Sequence, residues 1–495
     1  MDVPRVWIAA IGLGTFLFAR AVYRVFFHPL RKVPGPTFAA ATYLYEFYYD
    51  VILGGRYIFQ IEKLHQKYGP IIRISPHEVH VSDPEFYDQI YAHSSHRRDK
   101  DPWVVNGFTA PHSMVSTVGH DHHRFRRNIL NSFFSKKRVL ELESFVETKI
   151  NHLMERFEEF HREDKVVQLD DAFAALTADV ITYYSYGKNW GFLDDKTFRS
   201  DIRVAVNELT TVWHFARFFG WVISAILALP PSIMCWVMPA KAVVFNFQKS
   251  IFEHSADSML PGLGKGVGRN IFSKLSDPSL PAAERSLARL QQEGLVVLMA
   301  GTETTGRVLS VGTFHLSQDK ELREKMREEL RQSGAKSWTE LEKLPILTAF
   351  VNEALRVGIG LTSRLPRSAP TETLMYKDIA IAPGTSMSSS SYIIHRDPTL
   401  FPDPDRFYPQ RWIEASERNF NLPKYLATFT RGSRACIGMN LAYMELYMTF
   451  AELVRRFDFE MYDTTYEDVR VIKDFAIGYT RRGDMKILAK VAKAY

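Results

Sequence analysis

The chain has 495 residues, a formal net charge of +6 and two cysteines, Cys235 and Cys436. Two thiols exclude a disulfide framework and any four-cysteine zinc or iron–sulfur centre, and they fit a reducing compartment. With 46% hydrophobic and 24% charged residues the chain can bury a large core. Its Lys and Arg residues are scattered, so charge gives no ground for a nucleic-acid partner.

The first element in chain order is apolar. Val6 to Ala19 carries no charge and continues past Arg20 through Ala21, Val22 and Tyr23, giving the roughly 18–20 residues a membrane helix needs. Arg20, Arg24, Arg31 and Lys32 follow this run and only Arg5 precedes it, a bias that puts the remainder on the cytosolic side. A cleaved signal peptide is the competing reading, but the basic flank is on the wrong side and no small-residue cleavage site appears. The expected division is an anchor at 1–27, a basic hinge at 28–36 ending in Val33-Pro34-Gly35-Pro36, and a single body at 37–495.

Alternation in Ile71-Ile72-Arg73-Ile74 and Glu78-Val79-His80-Val81 predicts strands of a small sheet near the front. Helical spacing predicts helices over 138–160, 284–316, 320–331, 348–357 and 440–457. No strand–helix rhythm points to a dinucleotide-binding fold, so the class is mainly α with a minor β-sheet. His120, His122 and His123 fall in a basic helix start without His-x-x-x-His spacing, which argues against a zinc hydrolase. The apolar stretch 221–239 reads as a core helix pair or as a segment suited to a membrane interface, with Trp236 and Met238 at its tip. The glycine-rich run 261–268 lacks the Lys-Ser/Thr of a phosphate loop and reads as an exposed connection.

Three segments carry chemistry. In Ala300-Gly301-Thr302-Glu303-Thr304-Thr305, small and polar groups interrupt an otherwise apolar helix. Thr304 lies four residues after Ala300, so its hydroxyl can bond that carbonyl and bend the helix, and Gly301 leaves room for a small ligand. Glu353 and Arg356 share a helix face, a pair that is usually an exposed and nearly worthless contact. The run Phe401-Pro402-Asp403-Pro404-Asp405-Arg406-Phe407-Tyr408-Pro409-Gln410-Arg411-Trp412 follows. Last comes Phe429-Thr430-Arg431-Gly432-Ser433-Arg434-Ala435-Cys436-Ile437-Gly438, which reads as a loop aiming one thiolate at a metal. Apolar spacing from Ile437 onward puts Cys436 at a helix start, whose free N–H groups and dipole would lower the thiol pKa. Gly432 and Gly438 allow a sharp turn or close approach of a flat ligand.

The last segment matches Phe-x-x-Gly-x-Arg-x-Cys-x-Gly at every fixed position and resembles the cysteine loop of the cytochrome P-450 haem-thiolate monooxygenases. The resemblance runs through nearly the whole chain, and its motifs occur in the family's order. It implies the cytochrome P-450 fold, with haem b as cofactor and Cys436 as its axial thiolate, a ligand that favours O–O cleavage. By the same resemblance Thr304 and Glu303 relay protons during dioxygen activation. Phe429, Gly438, Ala300 and Gly301 adjoin the haem. His123, Arg127, Arg367 and Arg434 serve its propionates, with His123 where the family usually has Trp, so that Arg124 and Arg126 remain alternatives. Glu353, Arg356 and Arg406 form a buried network that locks the segment leading to the loop. Substrate lies against Val296, Val297, Ala300, Leu361 and Thr362, with Phe108, Phe475 and Ile477 on loops.

NADPH enters through a separate reductase, NADPH–cytochrome P-450 reductase, because the chain holds no flavin or ferredoxin module; a cytochrome b-type protein is a further donor the resemblance allows. Location in the endoplasmic reticulum membrane with a cytosolic catalytic body is implied, and the stretch 221–239 would dip into the bilayer. The phrases Phe27–Pro36 and Phe407–Trp412 look most like fungal membrane members, including the trichodiene-oxygenase-like branch. The expected reaction is NADPH- and O2-dependent hydroxylation, or further oxidation, of a lipophilic terpenoid-like intermediate. Two other classes compete: a haem-thiolate isomerase or dehydratase, against which the intact Glu303-Thr304 pair argues, and a non-catalytic haem-binding protein.

Overall fold

A computed structural model of the chain describes residues 3–227, 229, 233, 236, 242–257, 271–483 and 485–495. Cys235, the glycine-rich run 261–268 and most of 228–241 lie outside the described residues. Helix α1 (Val3–Val22) leads the chain, and the 22-residue stretch Val6–Phe27 is apolar enough to cross a membrane, with none of it buried against the body. Trp7, Ile8, Phe16 and Phe18 along it are all exposed. Such a run of exposed apolar side chains is normally covered by something else.

The front sheet has five strands: β1 (Ile71–Arg73), β2 (Glu78–Val81), β3 (Asp99–Lys100), β4 (Arg367–Ser368) and β5 (Ser386–Ser388), in spatial order β1-β2-β5-β4-β3. The pairing is antiparallel except for β2 with β5, where Glu78 opposes Ser386. Lys100 opposes Arg367 at its far edge, which sets two cations side by side. After β3 come α2 (Pro102–Val105), capped by Asp101 through bonds from Trp103 N at 2.8 Å and Val104 N at 3.2 Å, and α3 (His120–Asn131).

The helical body packs around α7 (Leu287–Gln318), which starts at Ser286, whose side chain accepts from Arg289 N, and not at Glu284. Residues 282–285 instead form a short 3-10 turn behind Pro281. Its nearest partner is α4 (Leu169–Tyr186); α5 (Ser200–Thr211) and α6 (Trp213–Phe218) follow. Glycines permit the closeness: a Cβ on Gly301 would come within 2.8 Å of Ile181, and one on Gly306 within 3.2 Å of the Ala174 backbone. Thr177 Oγ1 donates to Thr302 O at 3.0 Å across the same seam. Beyond α7 run α8 (Lys320–Ser333), α9 (Pro345–Gly358), α10 (Gln410–Glu417) and α11 (Met439–Arg456). A hairpin of β6 (Lys473–Phe475) and β7 (Ile477–Tyr479) reaches back toward the site.

Candidate haem-thiolate site

The loop from Phe429 to Gly438 is fixed by its backbone. Gly432 sits at φ +70, and a Cβ there would collide with the carbonyl oxygens of Tyr91 and Ala92, so only glycine fits. Ser433 N donates to Ala92 O at 3.0 Å and Cys436 N to Phe429 O at 2.9 Å. Arg434 donates to the carbonyls of Arg98, Thr117 and Val118 at 2.9–3.1 Å and so straps the loop to the chain on both sides of β3. Phe429 packs on Tyr443 of α11 with ring centroids 5.1 Å apart.

Helix α11 begins at Met439, so Cys436 stands before the helix start and not in its first turn. Burial pushes the thiol above its ordinary value, and the backbone at Gly438 and the charge of Arg127 pull it back. This corrects the expected lowering: desolvation outweighs the helix end. The free sulfhydryl lies deep in the protein, but its surface opens onto an internal cavity.

That cavity has a volume of about 390 Å³ and runs between the loop and α7. On the α7 side it is walled by Val296, Val297, Ala300, Gly301, Glu303 and Thr304. Thr304 Oγ1 donates to Ala300 O at 2.8 Å, the bond expected from their spacing. Glu303 is buried with its Oε2 3.7 Å from Arg203 Nε, and Arg203 also pairs with Asp170 and, at 2.9 Å, Asp171. Gly301 borders the cavity, and a Cβ there would also collide with Ile181 of α4, so helix packing by itself calls for glycine.

At one end of the cavity Lys100, His123, Arg127, Arg367 and Arg434 converge. The four always-basic side chains are held by backbone carbonyls only: Lys100 by Met114 at 3.2 Å and by Val115, Arg127 by Ala435 at 2.6 Å, and Arg367 by Leu365 and Pro366 at 3.1 and 3.0 Å. None is ion-paired with a carboxylate among the described residues. Burial pushes all four down, Arg434 to about 9 with help from Arg367, and Lys100 well below its ordinary value with help from Arg434. Burial, then Lys100 and Arg434, hold His123 neutral. A buried cluster of like charge calls for an anionic occupant. Gly438 faces open space, leaving a flat face for that occupant. The donor set therefore fits a planar dianion bearing a metal that accepts one thiolate. Of the alternatives on α3, Arg124 is exposed and Arg126 is taken by Glu284 at 2.8 and 3.2 Å, which leaves His123 and Arg127 facing the cavity. Lys100 was missed in the sequence, where a lone lysine in Arg98-Asp99-Lys100-Asp101 carries no motif.

The network behind the loop differs from expectation in one member. Glu353 is fully buried and accepts from Arg356 Nε and Nη2 at 2.9 and 2.8 Å, Arg411 Nε at 3.2 Å, Trp412 Nε1 at 2.9 Å and Tyr408 N at 2.8 Å. The Arg406 side chain is exposed above the Tyr408 ring at 4.6 Å and contributes only its carbonyl, which accepts from Arg356 and Arg411. The third member is therefore Arg411, the second guanidinium on Glu353. It stands in the first turn of α10, which aims it and Trp412 inward, whereas Arg406 lies in a surface turn. His395 extends the network, bonding Arg356 O at 3.0 Å and Ala427 N at 2.8 Å, and Thr428 Oγ1 donates to Leu355 O at 2.9 Å. These bonds reach the residues that enter the cysteine loop.

Of the expected substrate contacts, Val296, Val297, Ala300, Leu361, Phe108 and Ile477 line the cavity. Thr362 and Phe475 do not. Thr362 is buried with its hydroxyl on Asp474 at 2.8 Å, and Phe475 packs away from the cavity on His214 and Tyr479. Around the turn at Ala476, alternation sends Phe475 to the far side and Ile477 to the near one. Sequence reasoning also missed Trp213, Thr210 and Ile181, and Glu445 of α11, whose carboxyl bonds Thr305 and is pushed far up by burial.

A family model described as Cytochrome P450 matches residues 45–479. Conidiogenone synthase PchP450 of Penicillium rubens is 43% identical over 468 residues, 94% of this chain and 95% of that protein. Cytochrome P450 monooxygenase TRI4 of Trichoderma arundinaceum is 39% identical, covering 96% of this chain and 93% of the relative. Cytochrome P450 monooxygenase aflU of Aspergillus parasiticus is 39% identical, with 98% of both chains covered. The chain belongs to the cytochrome P450 family.

Proposed function

We propose that the chain is a membrane-anchored haem-thiolate monooxygenase that oxidises a lipophilic, terpenoid-like small molecule. One observation carries the reading: a free thiol and Thr304 line one apolar cavity together with four basic side chains that have no carboxylate partner among the described residues. Bound haem would supply the power to insert one oxygen atom of O2 into a C–H bond, using electrons from NADPH through a separate reductase.

The remaining work falls to the chain. Cys436 would hold the metal as a thiolate, an anionic ligand. Lys100, Arg127, Arg367 and Arg434 neutralise the propionates, and neutral His123 offers one N–H. Val296, Val297, Leu361 and Ile477 exclude water and favour an apolar substrate. Thr304 holds a hydroxyl proton at the cavity wall, because its bond to Ala300 O can be exchanged for one to a ligand. Glu303 resupplies that proton after taking one up from solvent, and to do so its carboxylate must leave the Arg203 guanidinium 3.7 Å away. The relatives named monooxygenases, TRI4 among them, support oxygen insertion. The exposed α1 and the exposed Trp221, Ile233 and Trp236 support an anchor at 1–27 with a second bilayer contact in 221–239 and a location in the endoplasmic reticulum membrane.

Carbon monoxide added to the reduced protein should give the red-shifted Soret band of thiolate ligation, and Cys436→Ala should lose it. A histidine-type band in the wild type would sink the reading. With its reductase and a terpenoid precursor, label from 18O-dioxygen should enter the product. Turnover without NADPH consumption would favour an isomerase.

A further inference from the structure

The roof of the cavity is assembled from segments far apart in the chain. Val104, Trp213 and Ala476 form one buried apolar cluster, with Phe108 and Leu361 packed against it. Trp213 opens α6, and the Phe108 ring meets it edge-on at 4.7 Å. Gly107 lies against the indole. A Cβ there would come within 2.7, 2.8 and 3.0 Å of three adjoining ring atoms, well inside ordinary carbon contact. Three near-equal distances mean that the face of the indole, and not its edge, rests on this residue.

The ring has little freedom elsewhere. His214, its neighbour, bonds Asp474 O at 2.6 Å, and Thr210 bonds the Tyr479 hydroxyl at 2.7 Å, so α5 and α6 are stitched to the β6–β7 hairpin. Thr109 at φ 51 and Ala476 at φ 69 stand at the two borders of the roof, both in the left-handed region that non-glycine residues seldom adopt. Such outliers persist where surrounding packing holds them in place. With Val104, Phe108 and Ala476 around the indole, its open side is the cavity.

We infer that Trp213, seated on Gly107, sets the upper size limit of the molecule this site accepts. The inference rests on the haem-thiolate reading, because it takes the cavity as a shared chamber for haem and substrate. Glycine at 107 lets the indole lie close; any side chain there displaces the ring, and with Val104, Phe108 and Ala476 packed around it the free direction is the cavity.

The test uses haem-loaded protein in four forms, wild type, Gly107→Ala, Trp213→Ala and the double variant, each first checked for the thiolate band with carbon monoxide. Absence of that band in the wild type refutes the haem reading itself, separately from the roof. Imidazole and 4-phenylimidazole are then titrated and followed by their spectral shift at the iron. Gly107→Ala should weaken 4-phenylimidazole by about tenfold and leave imidazole within about twofold, and the double variant should regain the lost affinity. Equal weakening of both ligands, or no recovery in the double variant, overturns the inference. Should Gly107→Ala fail to hold haem, Trp213→Ala decides alone: clotrimazole, a triaryl imidazole, should bind at least about fivefold tighter than to wild type, and an unchanged affinity overturns the proposal.

Discussion

The network around Glu353 allows a sharp test because two nearby arginines have opposite fates. Arg411 is buried with its Nε 3.2 Å from the fully buried Glu353 carboxylate, whereas Arg406 is exposed and touches only the Tyr408 ring. Breaking a buried ion pair costs on the order of 3–5 kcal/mol when one charge is left bare. In Arg411→Leu the carboxylate keeps both bonds from Arg356 and those from Trp412 and Tyr408, so about 2–3 kcal/mol is expected. The loss of guanidinium bonds to the carbonyls of Pro402 and Arg406 keeps the figure from falling lower. Arg406→Leu removes an exposed cation–π contact worth about 0.5–1 kcal/mol at most. Against a total stability of about 5–15 kcal/mol the first change is large and the second nearly silent. Urea titration of the haem-loaded protein, followed by the Soret band and by far-UV circular dichroism, separates them. Equal shifts for the two variants, or a larger one for Arg406→Leu, would refute the assignment of Arg411 as the third member.

Thr304→Ala should retain haem but divert electrons from NADPH into hydrogen peroxide; unchanged coupling of NADPH to product would show that the hydroxyl moves no proton. Gly432→Ala must adopt a left-handed backbone, at about 1–2 kcal/mol, and also collides with two carbonyls, so the protein should be made with little haem; normal haem content would contradict the loop geometry. The His77–Asp101 pair, 3.1 Å apart, predicts a pH dependence. Asp101 holds His77 above its ordinary value against the opposing effect of burial, and bonds from His77 hold Asp101 below its own. Stability from the raised histidine is present below its unfolded value and lost as pH rises through its folded one; that from the lowered aspartate is lost only in acid. The cost of His77→Asn should therefore be greater at about pH 6 than at about pH 9. Equal cost at both would mean the ring is not charged.

What was legible in the sequence is what the backbone needs locally. The cysteine loop must turn at one glycine, and a helix with four-residue spacing brings Thr304 onto Ala300, so both could be read from spacing. Helix and strand positions followed from periodicity, except that the expected helix over 138–160 is broken into Lys136–Leu140 and Glu143–Arg162, and ends were misplaced where a cap decided, as Ser286 does for α7. The misses are long-range. Nothing local distinguishes Arg406 from Arg411; the difference is which one the first turn of α10 points at Glu353. Lys100 becomes part of the cationic cluster only because β3 pairs with β4 and sets it opposite Arg367. Thr362 and Phe475 sit within two residues of cavity-lining positions, and side-chain alternation turned them outward. Gly301 shows the same limit: it borders the cavity, but its packing against Ile181 of a neighbouring helix is something no local pattern announces.

The cationic end of the cavity joins stability to function. Four basic side chains held only by carbonyl dipoles repel one another in a poorly solvated space, and burial already weakens their charged forms. A dianion placed among them offsets the repulsion and favours their charged forms, so cofactor binding and folding of this region are one thermodynamic step. Arg434 makes the coupling specific. It belongs to the cysteine loop, yet its other bonds go to carbonyls on both sides of β3, so the ligand that satisfies its charge also fixes the distance between Cys436 and the sheet. The Glu353 network grips the same loop from behind through His395 and Thr428. The thiol is thus held between a structure complete without cofactor and one that needs an anion, which is how a loop so constrained can still select its occupant.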